Sequence, residues 1–105
     1  MNTAIATPTI GTGVTIYFWS DREAGTIIAV SKSEKTITVQ EDDAVRTDTH
    51  GMSDSQTYAY TTNTQNKTYE FSLRKNGNWC QVGQDMHNGT TCSIGSRNKY
   101  YDFSF

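Results

Sequence analysis

Asp48, His50 and Ser53 fall in one short polar stretch, and an acid, an imidazole and a hydroxyl are the groups a nucleophilic hydrolase uses to orient, deprotonate and attack. Nearness along the chain does not make a triad, however, and no Gly-x-Ser-x-Gly elbow surrounds Ser53. The same residues read equally as turn formers whose side chains satisfy loop amides. Cys80, His87 and Cys92, with His50, are soft metal ligands by type, but the close Cys pair that a structural zinc site brings is missing. Glu41-Asp42-Asp43 has the oxygens for a divalent cation, and a charged strand end accounts for it as well. No Gly-x-x-x-x-Gly-Lys or Gly-x-Gly-x-x-Gly phosphate loop occurs. The expectation is a protein without catalysis, metal or cofactor.

Binding chemistry is better represented. Arg74, Lys75, Trp79, Arg97, Lys99, Tyr100 and Tyr101 form a basic and aromatic set that suits phosphates or an acidic protein surface, with rings available to stack or anchor. Adjacent Tyr100 and Tyr101 would point to opposite faces of a strand, so one ring should lie outside. A competing acidic surface, Asp21, Arg22 and Glu23 with Asp42, Asp43 and the stretch to Asp54, suits a basic groove such as a nuclease channel. Charge reversal at Arg97 and Lys99 is expected to weaken binding and leave the fold intact.

The chain carries nine cations and eleven acids for a net charge of −2, too near neutral for a nucleic-acid mimic or a general nucleic-acid binder. The charge is uneven. Residues 1–65 sum to −4 and residues 66–105 to +2, so the C-terminal part is the expected place for an anionic partner.

These residues must be positioned by strands. Val14 to Trp19 is β-branched and aromatic, Gly25 to Val30 follows after a break, and Thr36 to Gln40 alternates cleanly, with turns too short to hold a helix. Asp42 to Ser55 has no apolar period and reads as a long loop. Strands resume at Gln56–Thr61 and Thr68–Arg74. Asn76-Gly77 then predicts a type I′ hairpin into Asn78–Val82, because both central residues of that turn need positive φ. A short strand at Thr90–Ile94 and an aromatic end, Tyr100–Phe105, complete the series. The expected architecture is all-β, one domain over residues 1–105, with about seven antiparallel strands in a small SH3-like barrel or β-sandwich. Residues 1–12 are expected to form an extended arm. Alternation places Val14, Ile16 and Phe18 on one face, with Ile28, Val30, Ile37, Val39, Tyr69, Phe71 and Leu73 as companions. No signal-like or membrane-spanning run is present, which suggests a cytoplasmic protein with free thiols. A hairpin centred near Met86 would nevertheless let Cys80 and Cys92 face each other.

Two resemblances add to this reading. Gly13-Val14, Gly25-Thr26-Ile27 with Val30, and Ile37-Thr38-Val39 resemble the glycine-led hairpin of KOW and SH3-like barrels, over about a third of the chain, which implies a binding module for nucleic acid, peptide or protein. More of the chain is covered by a second. Tyr17–Ala24 with Ser20-Asp21-Arg22, Arg46-Thr47-Asp48 with Gly51-Met52-Ser53, Leu73–Gly77 and the ending Tyr100–Phe105 resemble small proteins encoded by bacteriophages and prophages. That group carries no catalytic motif. It implies an inhibitor of host defence, such as an anti-CRISPR protein, acting in the bacterial cytoplasm on a host defence protein or its nucleic-acid complex.

Overall fold

The computed structural model describes residues 8–18, 21–49, 51 and 56–100, and every regular element among them is a strand. In chain order these are β1 (Gly13–Tyr17), β2 (Arg22–Val30), β3 (Thr36–Glu41), β4 (Asp43–Arg46), β5 (Tyr58–Thr61), β6 (Thr68–Leu73), β7 (Trp79–Gln81) and β8 (Thr91–Ile94). Six of them close into an antiparallel barrel in the order β1-β2-β3-β6-β7-β8, with β8 returning to β1. The remaining two, β4 and β5, pair as a separate hairpin inserted between β3 and β6. The fold is therefore all-β and consistent with a small SH3-like barrel. Full closure leaves the barrel no free edge.

Strand pairing assembles the interior directly. Residues opposite one another share a face, so Ile16 with Cys92, Ile37 with Phe71 and Leu73 with Trp79 all project inward together. Val14, Ile16, Ile27, Ile37, Val39, Phe71, Trp79 and Cys92 make the buried cluster, and Val30, Tyr69, Leu73 and Ile94 pack around it. Each large side chain fully buried this way contributes about 1.5–3 kcal/mol. Gly25 lets β2 and β3 approach across this core, since a Cβ there would sit 2.6 Å from Val39 Cγ1.

Two expected core residues lie elsewhere. The β2–β3 register shifts between Ile27 and Ala29, and the extra residue reverses the alternation. Ile27 consequently fills the core, while Ile28 faces outward and is 41% exposed. Phe18 follows the end of β1, where the pleat no longer dictates direction. It caps the barrel end instead, 36% exposed, with its ring edge-on to Tyr69 at 6.0 Å.

Local chemistry departs from expectation in three more places. The stretch expected to be a loop from Asp42 contains strand β4, whose Asp-Ala-Val-Arg alternation is short and places Val45 in solvent. The Asn76-Gly77 hairpin is not type I′. Only Gly77 has positive φ, at 86°, and Arg74 N–H donates to Asn78 O at 2.9 Å, giving a three-residue loop with a glycine bulge. Finally, β7 and β8 do form a hairpin, but Trp79 pairs with Cys92 and Cys80 with Thr91, one residue out of register for the two cysteines. Cys92 points into the core and Cys80 outward beneath residues 84–89, so both are free thiols. Burial, with Cys80 nearby, pushes the Cys92 thiol up to about 12.

Within the expected N-terminal arm, Gly11 N–H donates to Ile27 O at 2.8 Å, and Ile27 N–H donates to Thr12 O at 3.0 Å, so this part lies along β2. Trp19, His50, Ser53, Asp54, Tyr101 and the end at Phe105 lie outside the described residues.

Candidate functional site

After β8 the chain turns at Gly95 and runs across the outside of the barrel, where Thr15 Oγ1 donates to Ser96 O at 2.8 Å and Gly95 N–H donates to Gly13 O at 2.8 Å. This crossing carries Arg97 over β1 and β2 to Asp42, the residue at which β3 leaves the barrel for β4. Arg97 Nε donates to Asp42 Oδ2 at 2.7 Å, Arg97 Nη2 donates to Thr26 Oγ1 at 2.9 Å, and Thr26 Oγ1 donates to Asp42 Oδ1 at 2.7 Å. The Asp42 side chain is only 1% exposed, so its charge depends on these partners. Gly13 makes room for the crossing: a Cβ there would meet Arg97 Nη1 at 2.7 Å and Cγ at 2.9 Å. Between this clasp and the β4–β5 hairpin lies a cleft of about 290 Å³, lined by Asp42, Arg97, Tyr60, Thr61 and Thr62.

Two residues further on, Lys99 Nζ donates to both carboxylate oxygens of Glu23 at 2.7 Å and stands 5.8 Å from the Tyr58 ring centroid. The Lys99 N–H donates to Tyr60 Oη at 2.9 Å, which ties the hairpin to the same segment. Tyr100 forms a two-hydrogen-bond bridge to Arg22 where β3 has already departed, and the Arg22 guanidinium lies 4.9 Å from its ring centroid. Tyr100 is half-buried there. The described part of the aromatic C-terminal stretch thus docks onto β2.

The structure brings Arg97, Lys99, Tyr100, Arg22 and Asp42 together, but as partners of one another. Arg74 stands apart at the opposite end of the barrel, donating to Ser72 Oγ, Gln84 O and Gln81 O at 2.8, 3.0 and 3.0 Å. Lys75 beside it is exposed. Asp21 is half-buried at the first turn, where its carbonyl accepts from Phe18 N–H at 3.0 Å. The basic set therefore divides between a clasp and a distant turn. Reversing Arg97 and Lys99 strikes internal ion pairs, contrary to the expectation that it would spare the fold.

The three consecutive acids diverge. Glu41 Oε1 accepts from Tyr69 Oη at 3.0 Å, Asp42 serves the clasp, and Asp43 accepts from Asn66 and Asn63, both at 2.9 Å, which together hold its carboxyl below the usual range. Burial, reinforced by Glu41 and Glu23, raises the Tyr69 phenol to about 12. Asp48 receives Arg46 through two hydrogen bonds of 2.9 and 2.7 Å and a third from Thr57 N–H at 2.8 Å, so this acid braces the base of the hairpin. Among the described residues, no three His, Cys, Asp or Glu side chains converge as a metal site, and no helix is long and apolar enough to cross a membrane.

One group escaped the sequence reading. Charge summed along the chain puts Lys32 and Lys35 in the acidic N-terminal part, yet the antiparallel order places their turn beside the Arg74–Asn78 turn, and Leu73 N–H donates to Lys35 O at 2.8 Å. Among the described residues, Lys32, Lys35 and Lys75 have no ion pair, whereas Arg46, Arg97 and Lys99 each have an acid within 2.7 Å. The signal was available: alternate turns of a meander share an end. Comparison with protein-family models, curated proteins and solved structures returned no match, so the site is read from its own residues.

Proposed function

We propose that the protein is a non-catalytic binding module, encoded by a bacteriophage, that inhibits a host defence component in the bacterial cytoplasm by covering one of its surfaces, as an anti-CRISPR protein does. The observation that carries this reading is the division of labour among the charged side chains. Arg97, Lys99 and Arg46 are struts with acids for partners, whereas among the described residues Lys32, Lys35 and Lys75, like Lys67 elsewhere, have no ion pair, and the first three share one end of a closed barrel. A concentration of surface charge on a closed barrel accelerates association with a complementary surface, which favours a masking protein. A second reading, a nucleic-acid-binding accessory module, draws on the same lysines, since an ammonium suits a phosphate as well as a carboxylate.

The test is capture of partners from a bacterial host lysate with and without nuclease, alongside phage plating on a strain with an active CRISPR system. A protein partner that survives nuclease, together with raised plating efficiency, supports inhibition by masking. Capture that disappears with nuclease transfers the protein to the second reading. Neither capture nor any effect on plating overturns both.

A further inference from the structure

The end of the barrel carrying Lys32, Lys35 and Lys75 is built as well as charged. Its two turns are braced: Ser31 N–H donates to Thr36 O at 2.8 Å, Thr36 N–H returns a bond to Ser31 Oγ at 3.1 Å, and the Arg74 guanidinium is held by two backbone carbonyls at 3.0 Å. Lys32, Lys35, Arg74 and Lys75 against Glu34 give this end +3, which leaves −5 for the rest of a chain whose net charge is −2. On the same end lie two exposed aliphatic side chains, Ile10 at 66% and Ile28 at 41%. The Gly11–Ile27 and Ile27–Thr12 hydrogen bonds hold residue 10 alongside the β2 bulge that turns Ile28 outward.

We propose that this end of the barrel is a docking surface for an acidic protein segment that carries apolar side chains. The proposal rests on the reading of the protein as a binding module and names the partner's chemistry. Three ammonium groups attract carboxylates or phosphates alike, so the isoleucines decide between them. A phosphate backbone has nothing to bury Ile10 and Ile28, and among the described residues this end exposes no aromatic ring on which bases could stack. An acidic segment with interspersed leucine or valine satisfies both features, placing carboxylates on the lysines and its apolar side chains on the bulge.

The experiment needs no host component. Three fluorescent probes of equal net charge are titrated: a peptide alternating Glu and Leu, a peptide alternating Glu and Ser, and a single-stranded DNA oligonucleotide. The Glu/Leu peptide should bind most tightly, and Lys32→Glu with Lys35→Glu and Lys75→Glu should weaken it by about tenfold or more. Ile28→Ser should weaken the Glu/Leu peptide about fivefold and leave the Glu/Ser peptide unchanged. Both variants change exposed side chains, so thermal unfolding close to that of the parent separates lost docking from lost folding. Preference for the oligonucleotide, indifference to Ile28, or an unchanged affinity after the triple reversal would each overturn the proposal. Peptide binding without any host effect would leave the surface standing and remove the host-defence reading. Host capture undiminished by the triple reversal would do the opposite.

Discussion

Replacing Arg97 with alanine should destabilise the fold by about 2–3 kcal/mol, a magnitude set by what is left behind. Breaking one side of a fully buried ion pair costs roughly 3–5 kcal/mol, because the remaining charge has neither water nor a partner. Here the Asp42 side chain is 1% exposed but that of Arg97 is 31% exposed, so water already screens part of the pair. Asp42 also keeps its 2.7 Å hydrogen bond from Thr26, which lowers the loss further. For a domain of this size the change corresponds to a fall in unfolding temperature of roughly 10–20 °C. Urea denaturation followed by tryptophan fluorescence measures it, and two companion variants test the cause. Asp42→Asn should recover much of the loss in the Arg97→Ala background, since no buried charge then remains uncompensated. Gly13→Ala should cost about 1–3 kcal/mol in the parent, where its methyl group meets the Arg97 side chain, and under ~0.5 kcal/mol once that side chain is gone. An Arg97→Ala loss below ~0.5 kcal/mol, or an equal Gly13→Ala cost in both backgrounds, would refute the clasp as a structural element.

Phe71→Ala should cost about 3–5 kcal/mol through the cavity left by a side chain with no solvent exposure, and a loss under ~1 kcal/mol by denaturant titration would contradict its place at the barrel centre. In ultraviolet titration one tyrosine, Tyr69, should ionise near pH 12, above the ordinary tyrosine value of 10.0, and Glu41→Gln should bring it down. Because the folded value is the higher one, its contribution to stability is complete below pH 10 and lost as pH rises toward 12; unchanged stability across that window would count against the burial of its phenol. Oxidation of the native protein should yield no intramolecular disulfide between Cys80 and Cys92, since they occupy opposite faces of the β7–β8 hairpin, and a mass loss of two hydrogens without unfolding would contradict the register.

Strand identity was legible wherever residue type and period agreed. Val14 to Tyr17, Thr36 to Gln40 and Thr68 to Leu73 became β1, β3 and β6 with the interior faces that alternation assigns. The β2 bulge was not legible, because Ile27 and Ile28 are chemically identical and only pairing with Val39 and Thr38 decides which one turns inward. Strand β4 was hidden for a related reason: its one large apolar residue, Val45, lies in solvent, and its stability comes from pairing with β5 and from the Arg46–Asp48 brace. Of the candidate binding residues, composition alone could nominate Arg97 and Lys99 but could not show that Asp42 and Glu23, 55 and 76 positions away along the chain, would claim them. The lysine end was missed because summing charge along the chain ignores how antiparallel turns meet in space.

The measurement closest to the central claim is capture from nuclease-treated host lysate by the parent protein and by the Lys32→Glu, Lys35→Glu, Lys75→Glu variant, both first shown to unfold at similar temperatures. The account predicts that the parent retains a host protein and that the variant does not, and that the variant also loses any effect on phage plating. Equal retention by the two proteins would contradict it, as would capture that vanishes entirely once nucleic acid is removed.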